Sequence, residues 1–230
     1  MGIILAALKQ GNLENVRDLI QDGINLDIPD EYGVTALQYS IENGYIDIVK
    51  LLLISGADPN IENCLLINDG QLFIDANSKG IEDGAVAIEH IIKEIQNLKS
   101  TSALHVAIKR NDMESLKLLL EYGADPNVLD LGCCSPLHWA ATKNNLTAAK
   151  LLLETKANPN LQDLAKSTAI HEAVRKNNIE IVKLLLRYGA NPNIEDIGGE
   201  TAFDLVSDNQ QLLDIILLNS KSIPAGCIIH

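Results

Sequence analysis

The sequence predicts an all-α repeat fold, an α-solenoid of short helix-turn-helix units, because three motifs recur along it in step. Gly-Ala-Asp-Pro-Asn or a close variant begins at residues 56, 123, 156 and 189, and the last three copies are 33 residues apart. A Ser or Thr with a His three residues after it recurs at the same spacing of 33, at Ser102–His105, Ser135–His138 and Thr168–His171. An apolar block recurs at 48–53, 115–120, 148–153 and 181–186.

Each copy contains two segments of about ten residues whose apolar positions recur at helical spacing. The Ser or Thr that opens the first segment is expected to cap the free N–H groups of that helix. Gly56, Gly123 and Gly189 are expected to end the second helix in the left-handed conformation. Lys156 stands at the same position and is expected to cost about 1 kcal/mol there. Helices this short are marginal alone, so neighbouring repeats must bury shared faces.

These motifs resemble the ankyrin repeat, whose pattern is a turn, a Thr-Pro-Leu-His helix, a short loop, a Val-x-x-Leu-Leu helix and Gly-Ala-Asp-x-Asn. The resemblance covers roughly residues 2–63 and 97–217. It implies a stack of about six to seven units with short β-hairpin fingers. It also implies a non-enzymatic module that binds another protein.

The repeat positions divide the chain into a repeat domain over 1–218 and a flexible tail over 219–230. An N-terminal cap repeat is predicted at 2–29, full repeats at 30–62, 97–129, 130–162 and 163–195, and a C-terminal cap at 196–218 with helices Thr201–Ser207 and Gln210–Leu218. Residues 63–96 lack the motifs. They are interpreted as a degenerate repeat with an elongated finger, and the alternative is a disordered insertion.

Composition limits the partners and the compartment. A net charge of −13 disfavours nucleic acid and anionic membranes as partners. With four cysteines in 230 residues and no Cys-x-x-Cys pair, we expect free thiols in a reducing, cytoplasmic environment. No apolar run approaches the roughly 20 residues of a membrane span. A capped acidic stack is expected to stay monomeric.

No catalytic or metal site is predicted, and no cofactor. His105, His138 and His171 occupy one matched position, where stacked helices about 8–10 Å apart cannot close three imidazoles around one zinc ion. The resemblance implies that these histidines hydrogen-bond within the motif and tie neighbouring loops. Cys133 and Cys134 are predicted to lie in a finger turn. They are interpreted as plain exposed cysteines, and the alternative is a reactive thiol. An enzyme would need residues 63–96, whose candidate groups are Asp69, Asp75, Glu82, Asp83 and His90.

The resemblance implies that a partner binds the concave side, formed by the finger tips and the first helices. The finger positions carried over are Glu31, Tyr32, Val34, Leu131, Gly132, Cys134, Leu164, Ala165, Ser167, Ile197, Gly198 and Glu200. The first helices offer Tyr39, Trp139 and Glu172 at one matched position. Exposed Trp and Tyr are favoured interface anchors. The alternative for Trp139 is simple packing between first helices.

Basic residues collect at the ends of the first helices. Arg110, Lys143 and Lys176 are 33 residues apart, with Lys109 and Arg175 beside them. One interpretation is a groove for an acidic peptide or loop. The other is helix stabilisation, since cations at a helix C-terminus complement the dipole by a few tenths of a kcal/mol each.

The chain ends in Cys227-Ile-Ile-His, which resembles a prenylation box and makes Cys227 a candidate lipidation site. The alternative is a coincidental hydrophobic end. The leading interpretation of the sequence is an adaptor or scaffold. The second is a microbial effector in a eukaryotic host cytosol, tethered to a membrane through Cys227.

Overall fold

The computed structural model describes residues 3–11, 13–30, 33–61, 101–206 and 209–220. The chain forms two compact units, Met1–Val106 and Ala107–His230. All regular structure in the described residues is helical, as the repeat motifs predict. No described helix is long and apolar enough to cross a membrane.

The described helices come in pairs, except for the last one. In the first unit they are α1 (Ile3–Lys9), α2 (Leu13–Gln21), α3 (Ala36–Asn43) and α4 (Ile46–Ile54). Helix α5 (Ala103–Arg110) begins in the first unit and ends in the second. The second unit continues with α6 (Met113–Glu121), α7 (Pro136–Thr142), α8 (Leu146–Glu154), α9 (Ala169–Arg175), α10 (Ile179–Arg187) and α11 (Gln210–Ser220). The first helix of each pair is called inner below, and the second is called outer.

The inner helices begin where the Ser and Thr residues predict. Thr35 has extended dihedral angles and its hydroxyl accepts the Gln38 N–H, while the Gln38 side chain accepts the Thr35 N–H at 2.9 Å. His138 and His171 replace this glutamine in the second unit. The Nδ1 atom of His138 accepts the Ser135 N–H at 3.1 Å, and Nδ1 of His171 accepts the Thr168 N–H at 3.0 Å.

The outer helices end in the left-handed residues that the glycines predict. Gly56, Gly123 and Gly189 have φ between 86° and 91°, and Lys156 has φ of 70°. A Cβ atom added at any of the three glycines would meet nothing within 4 Å. The disadvantage of Lys156 is therefore one of backbone conformation rather than of space.

Replacing Lys156 with glycine is expected to raise the free energy of unfolding by about 1 kcal/mol, because glycine adopts the left-handed conformation without a Cβ penalty. Lys150 is the matched control, since it lies within α8, where glycine costs about 1 kcal/mol. Urea unfolding followed by circular dichroism should show opposite signs for the two substitutions. A lower stability for Lys156→Gly would contradict the prediction.

The fingers are tight hairpin turns. In the finger of repeat 130–162, the Asp130 N–H bonds to the Cys134 carbonyl at 3.0 Å and the Cys133 N–H bonds to the Asp130 carbonyl at 2.9 Å. Cys133 has φ of 56°, which is the left-handed residue of a three-residue hairpin loop. The same pair of bonds closes the fingers at 163–167 and 196–200.

The core is aliphatic and continuous between paired helices. Leu116 and Leu119 of α6, Leu152 of α8, and Ile181 and Leu185 of α10 have no exposed surface. Burying a Leu or Ile side chain contributes about 1.5–3 kcal/mol, which offsets the poor intrinsic stability of helices this short.

The first helix predicted for the C-terminal cap, Thr201–Ser207, is wrong over its described residues 201–206. Residues 202–205 form a hydrogen-bonded turn instead. The Asp204 carboxylate turns back to Thr201, accepting its hydroxyl at 2.6 Å and its N–H at 2.8 Å. Phe, Asp and Val in this stretch are weaker helix formers than the Ala and Leu of the other repeats. The second helix of the cap is present as α11.

Gln38 makes an unexpected long-range connection in the first unit. Its Nε2 atom donates to the carbonyl oxygens of Ile61 at 3.2 Å and Thr101 at 3.1 Å. In the second unit, His138 donates to the carbonyl of Ser167, which is 29 positions later. Ser167 stands just before Thr168, the next capping residue. Thr101 likewise stands just before Ser102, but it is 63 positions after Gln38. The interpretation of 63–96 as a degenerate repeat lies outside the described residues.

Candidate functional site

The inner helices α7 and α9 and the fingers before them lie on one surface of the second unit. Between them lies a groove of ≈ 380 Å³, called the Trp139 groove below. Its lining residues are Cys134, His138, Trp139, Thr142, Lys143, Asp163 and Glu172. Among these residues, Trp139, Lys143 and Glu172 are predicted partner-binding positions and Cys134 is a predicted finger position.

Each finger is clamped by the aspartate that begins it. One oxygen of Asp130 accepts the N–H groups of Gly132 at 2.8 Å and Cys134 at 2.9 Å. Asp163 and Asp196 hold their fingers through equivalent pairs of bonds. These N–H bonds, with that of Glu200 foremost, lower the pKa of Asp196 below its usual value. One carboxylate oxygen of each finger aspartate therefore holds its own finger, and the second oxygen of Asp130 and of Asp196 accepts a bond from a side chain.

The sequence left two roles open for Trp139, an anchor for a partner and a residue that packs within the repeats, and its position is compatible with both. Its indole N–H donates to the second oxygen of Asp130 at 2.9 Å, so the ring is held by its own finger. The residue is half-buried and one part of it lines the Trp139 groove. A tryptophan that is oriented by a hydrogen bond and still accessible is a suitable anchor for a partner.

Arg175 is engaged within the chain. Its guanidinium contacts Glu172 at 2.8 Å, Ser167 at 2.8 Å and Asp196 at 2.6 Å. Arg175 therefore connects α9 to the following finger. The sequence groups it with Arg110, Lys143 and Lys176, but its charge is already balanced by two carboxylates.

Arg110, Lys143 and Lys176 are exposed, and the structure shows how their loops are aligned. Each is followed by a left-handed asparagine, Asn111, Asn144 or Asn177. Asn145 donates to Asn111 at 2.8 Å, Asn178 donates to the Ala141 carbonyl at 3.0 Å, and Asn209 donates to Asn177 at 2.6 Å. These bonds tie successive loops together. We call Arg110, Lys143 and Lys176 the basic column.

Lys109 also lies at this edge. It lines, with Lys143, a second groove of ≈ 620 Å³ whose other lining residues include three asparagines, Asn111, Asn144 and Asn145. Within the residues that the structure describes, no ion pair is formed by Arg110, Lys143 or Lys176. The edge therefore presents positive charge and amide groups to solvent.

The thiol of Cys134 is not activated. Burial first, and then the negative charges of Asp130, Asp163 and Glu172, raise its pKa to about 12. The thiol therefore stays protonated and is a poor nucleophile at neutral pH. Two of these three carboxylates, those of Asp163 and Glu172, also line the Trp139 groove.

The histidines are used in packing. Nε2 of His138 donates to the Ser167 carbonyl at 3.0 Å, and Nε2 of His171 donates to the Glu200 carbonyl at 3.3 Å. Because Nδ1 of each ring accepts a backbone N–H, both nitrogens are occupied. Burial lowers the pKa of His171, which keeps the ring neutral. No group of three potential metal ligands occurs in the described part of the chain.

Other predicted positions lie elsewhere. Tyr39 is half-buried in the first unit, where it lines a groove of ≈ 200 Å³ with Gln38, Glu42 and Thr101. Tyr32 and Cys227 lie outside the described residues, as do the candidate groups of residues 63–96.

A family model of ankyrin repeats, in three copies, matches residues 2–63, 78–163, 104–196 and 137–221. An ankyrin repeat protein of fowlpox virus is 35% identical over 119 residues, which are 51% of this chain and 20% of that protein. One from Rickettsia felis is 34% identical over 133 residues, 55% of this chain and 42% of that protein. The human transient receptor potential cation channel subfamily A member 1 is 30% identical over 125 residues, 52% and 11% respectively. The matched region is less than half the length of each relative.

Proposed function

Because the chain belongs to the ankyrin-repeat family, whose repeats generally mediate protein–protein interaction, we propose that it is a non-enzymatic adaptor or scaffold. The partner binds the surface of the second unit that carries the inner helices and fingers. An acidic segment of the partner lies along the basic column. The observation that carries this proposal is the alignment of Arg110, Lys143 and Lys176 by the asparagine bonds between successive loops.

The charges of the column contrast with the rest of the molecule. In a chain of net charge −13, three exposed cations at one edge produce a local field opposite to the overall one. An acidic segment is attracted there and repelled elsewhere, so the field selects both the partner and its position. Lys109, beside the column, adds to the same field.

Helix stabilisation accounts for part of this arrangement. Lys143 and Lys176 are the C-cap residues of α7 and α9, where a cation contributes a few tenths of a kcal/mol. Partner binding and helix stabilisation make different predictions for charge reversal, because only the first requires the charges to act on another molecule.

The experiment is a capture of partners from eukaryotic cell lysate, read by mass spectrometry, with the variant Arg110→Glu, Lys143→Glu, Lys176→Glu. The outer helices offer a matched control, Lys117→Glu, Lys150→Glu, Lys183→Glu, which has the same spacing and the same charge change. Lys117 and Lys150 are exposed and Lys183 is half-buried, and all three are ion-paired to glutamates. Circular dichroism must first show that both variants are folded.

We expect wild type and the outer-helix control to capture a common partner that the basic-column variant loses. At about 1 kcal/mol for each of three exposed ion pairs, the affinity should fall about 100-fold. It should also weaken as the salt concentration rises. Equal capture by all three proteins would contradict a role for the basic column.

The second candidate is an effector in a eukaryotic host cytosol, tethered to membrane by prenylation of Cys227. The relatives in fowlpox virus and Rickettsia felis favour it. Fractionation of a eukaryotic lysate tests this second candidate. The wild-type protein should be found in the membrane fraction with the added mass of a prenyl group, and Cys227→Ser should show neither property.

A further inference from the structure

The second oxygen of a finger aspartate can receive a cation from the preceding inner helix. Lys9, at the end of α1, contacts Asp30 at 2.7 Å. Arg175, at the end of α9, contacts Asp196 at 2.6 Å. Lys9 and Arg175 occupy the same position in their repeats. In these two cases one repeat supplies the positive charge for the next finger.

The arrangement is interrupted at Asp163. The matched position in the preceding inner helix is Thr142, which carries no charge and whose hydroxyl instead approaches Glu172 at 3.4 Å. The second oxygen of Asp163 lies 3.9 Å from the Cys134 sulfur, a weak neutral partner. Over the described ranges, Asp163 forms no ion pair. Its carboxylate therefore lies in the Trp139 groove without the cation that Asp30 and Asp196 have.

The rest of the groove fits a cation as well. The Trp139 ring is fixed by Asp130 and offers an aromatic surface, over which a guanidinium or ammonium group is attracted. Glu172 adds a second carboxylate, shared with Arg175. Lys143 lines the groove, but no ion pair joins it to Asp163 or Glu172 in the described part of the chain.

We propose that the Trp139 groove binds an arginine side chain of the partner, which pairs with Asp163 as Arg175 pairs with Asp196 and stacks on Trp139. Arginine fits better than lysine because its planar guanidinium can bond to a carboxylate in a fork and stack on an aromatic ring at once. The inference rests on the proposed function, since it concerns the same surface. It adds that the partner carries an arginine beside its acidic segment.

The test uses the full chain and blocked heptapeptides of glycine and serine with a central arginine, citrulline or lysine. Citrulline has nearly the shape of arginine but no charge. The chain has one tryptophan, so the indole N–H signal in a ¹H–¹⁵N spectrum reports Trp139 directly. We expect the arginine peptide to give a saturable shift and the citrulline peptide to bind at least about tenfold more weakly.

Thr142→Arg is the decisive variant, because it supplies from within the chain the cation that Asp163 lacks. It should weaken binding of the arginine peptide about tenfold or more. Thr155→Arg adds the same charge at the exposed end of α8 and should leave binding unchanged. Equal affinity for the arginine and citrulline peptides, unaltered affinity in Thr142→Arg, or no saturable shift with any peptide would overturn the inference.

The two proposals fail separately. Thr142→Arg leaves the basic column intact, and reversal of the column leaves Thr142 and Asp163 intact. If partner capture from lysate survives charge reversal of the basic column while Thr142→Arg still weakens binding of the arginine peptide, the proposed role of the basic column is wrong. If partner capture requires the basic column while the protein binds the arginine and citrulline peptides equally well, the proposed arginine site is wrong.

Discussion

Replacing His138 with alanine is expected to lower the free energy of unfolding by about 3 kcal/mol. His138 is 2% exposed, and its ring connects the start of α7 to the next finger. Nδ1 accepts the Ser135 N–H at the start of α7, and Nε2 donates to the Ser167 carbonyl in the next finger. Alanine leaves both backbone groups without these partners and creates a cavity, and these losses add.

The chain contains its own control for this prediction. Gln38 occupies the position of His138 in repeat 30–62 and makes the corresponding bonds to Thr35 and Thr101. His138→Gln should therefore retain most of the stability that His138→Ala loses. Urea unfolding followed by circular dichroism measures both variants. Equal losses would show that ring packing, rather than the paired hydrogen bonds, makes histidine important here.

Replacing Asp130 with alanine is expected to lower the free energy of unfolding by about 2 kcal/mol. Its carboxylate accepts three bonds, from the N–H groups of Gly132 and Cys134 and from the Trp139 indole. Without it the finger loses its clamp and the indole loses its fixed position. The fluorescence of Trp139 should shift to longer wavelength as the ring becomes more exposed to water.

Asp130→Asn separates the two functions of this carboxylate. The asparagine oxygen can still accept the Gly132 and Cys134 N–H groups, but its amide N–H₂ cannot accept from the indole. This variant should keep the finger and lose about 1 kcal/mol, with the same fluorescence change. A normal emission spectrum in both variants would show that Trp139 is held by packing alone.

Much of the fold was accessible from local sequence. The capping residues Thr35, Ser135 and Thr168 act on atoms about one helical turn away, so the residue types at that spacing suffice to predict the helix starts. The left-handed conformation of Lys156 was predicted from the glycines at matched positions. The turn at 202–205 was missed because its motif matched while the residues within it favour a helix less.

The candidate site was only partly accessible. Asp130, Asp163 and Asp196 recur every 33 residues, so the signal of the finger clamp was present in the sequence. The sequence did not show which side chain meets the second oxygen of each. Arg175 was grouped with the exposed cations, yet it binds Asp196 and Glu172, because a long side chain can reach either solvent or a neighbouring finger.

By itself, then, the sequence determined the repeat, its family, the starts and ends of most helices and the periodic placement of the basic column. Those properties depend on backbone conformation and on bonds within one or two turns, which residue types at fixed spacing control. Only the tertiary structure decided that Gln38 binds Thr101, 63 positions away, and that Asp163 lacks the cation that Arg175 gives to Asp196. Such contacts depend on which repeat packs beside which, and burial between repeats decides that for the chain as a whole.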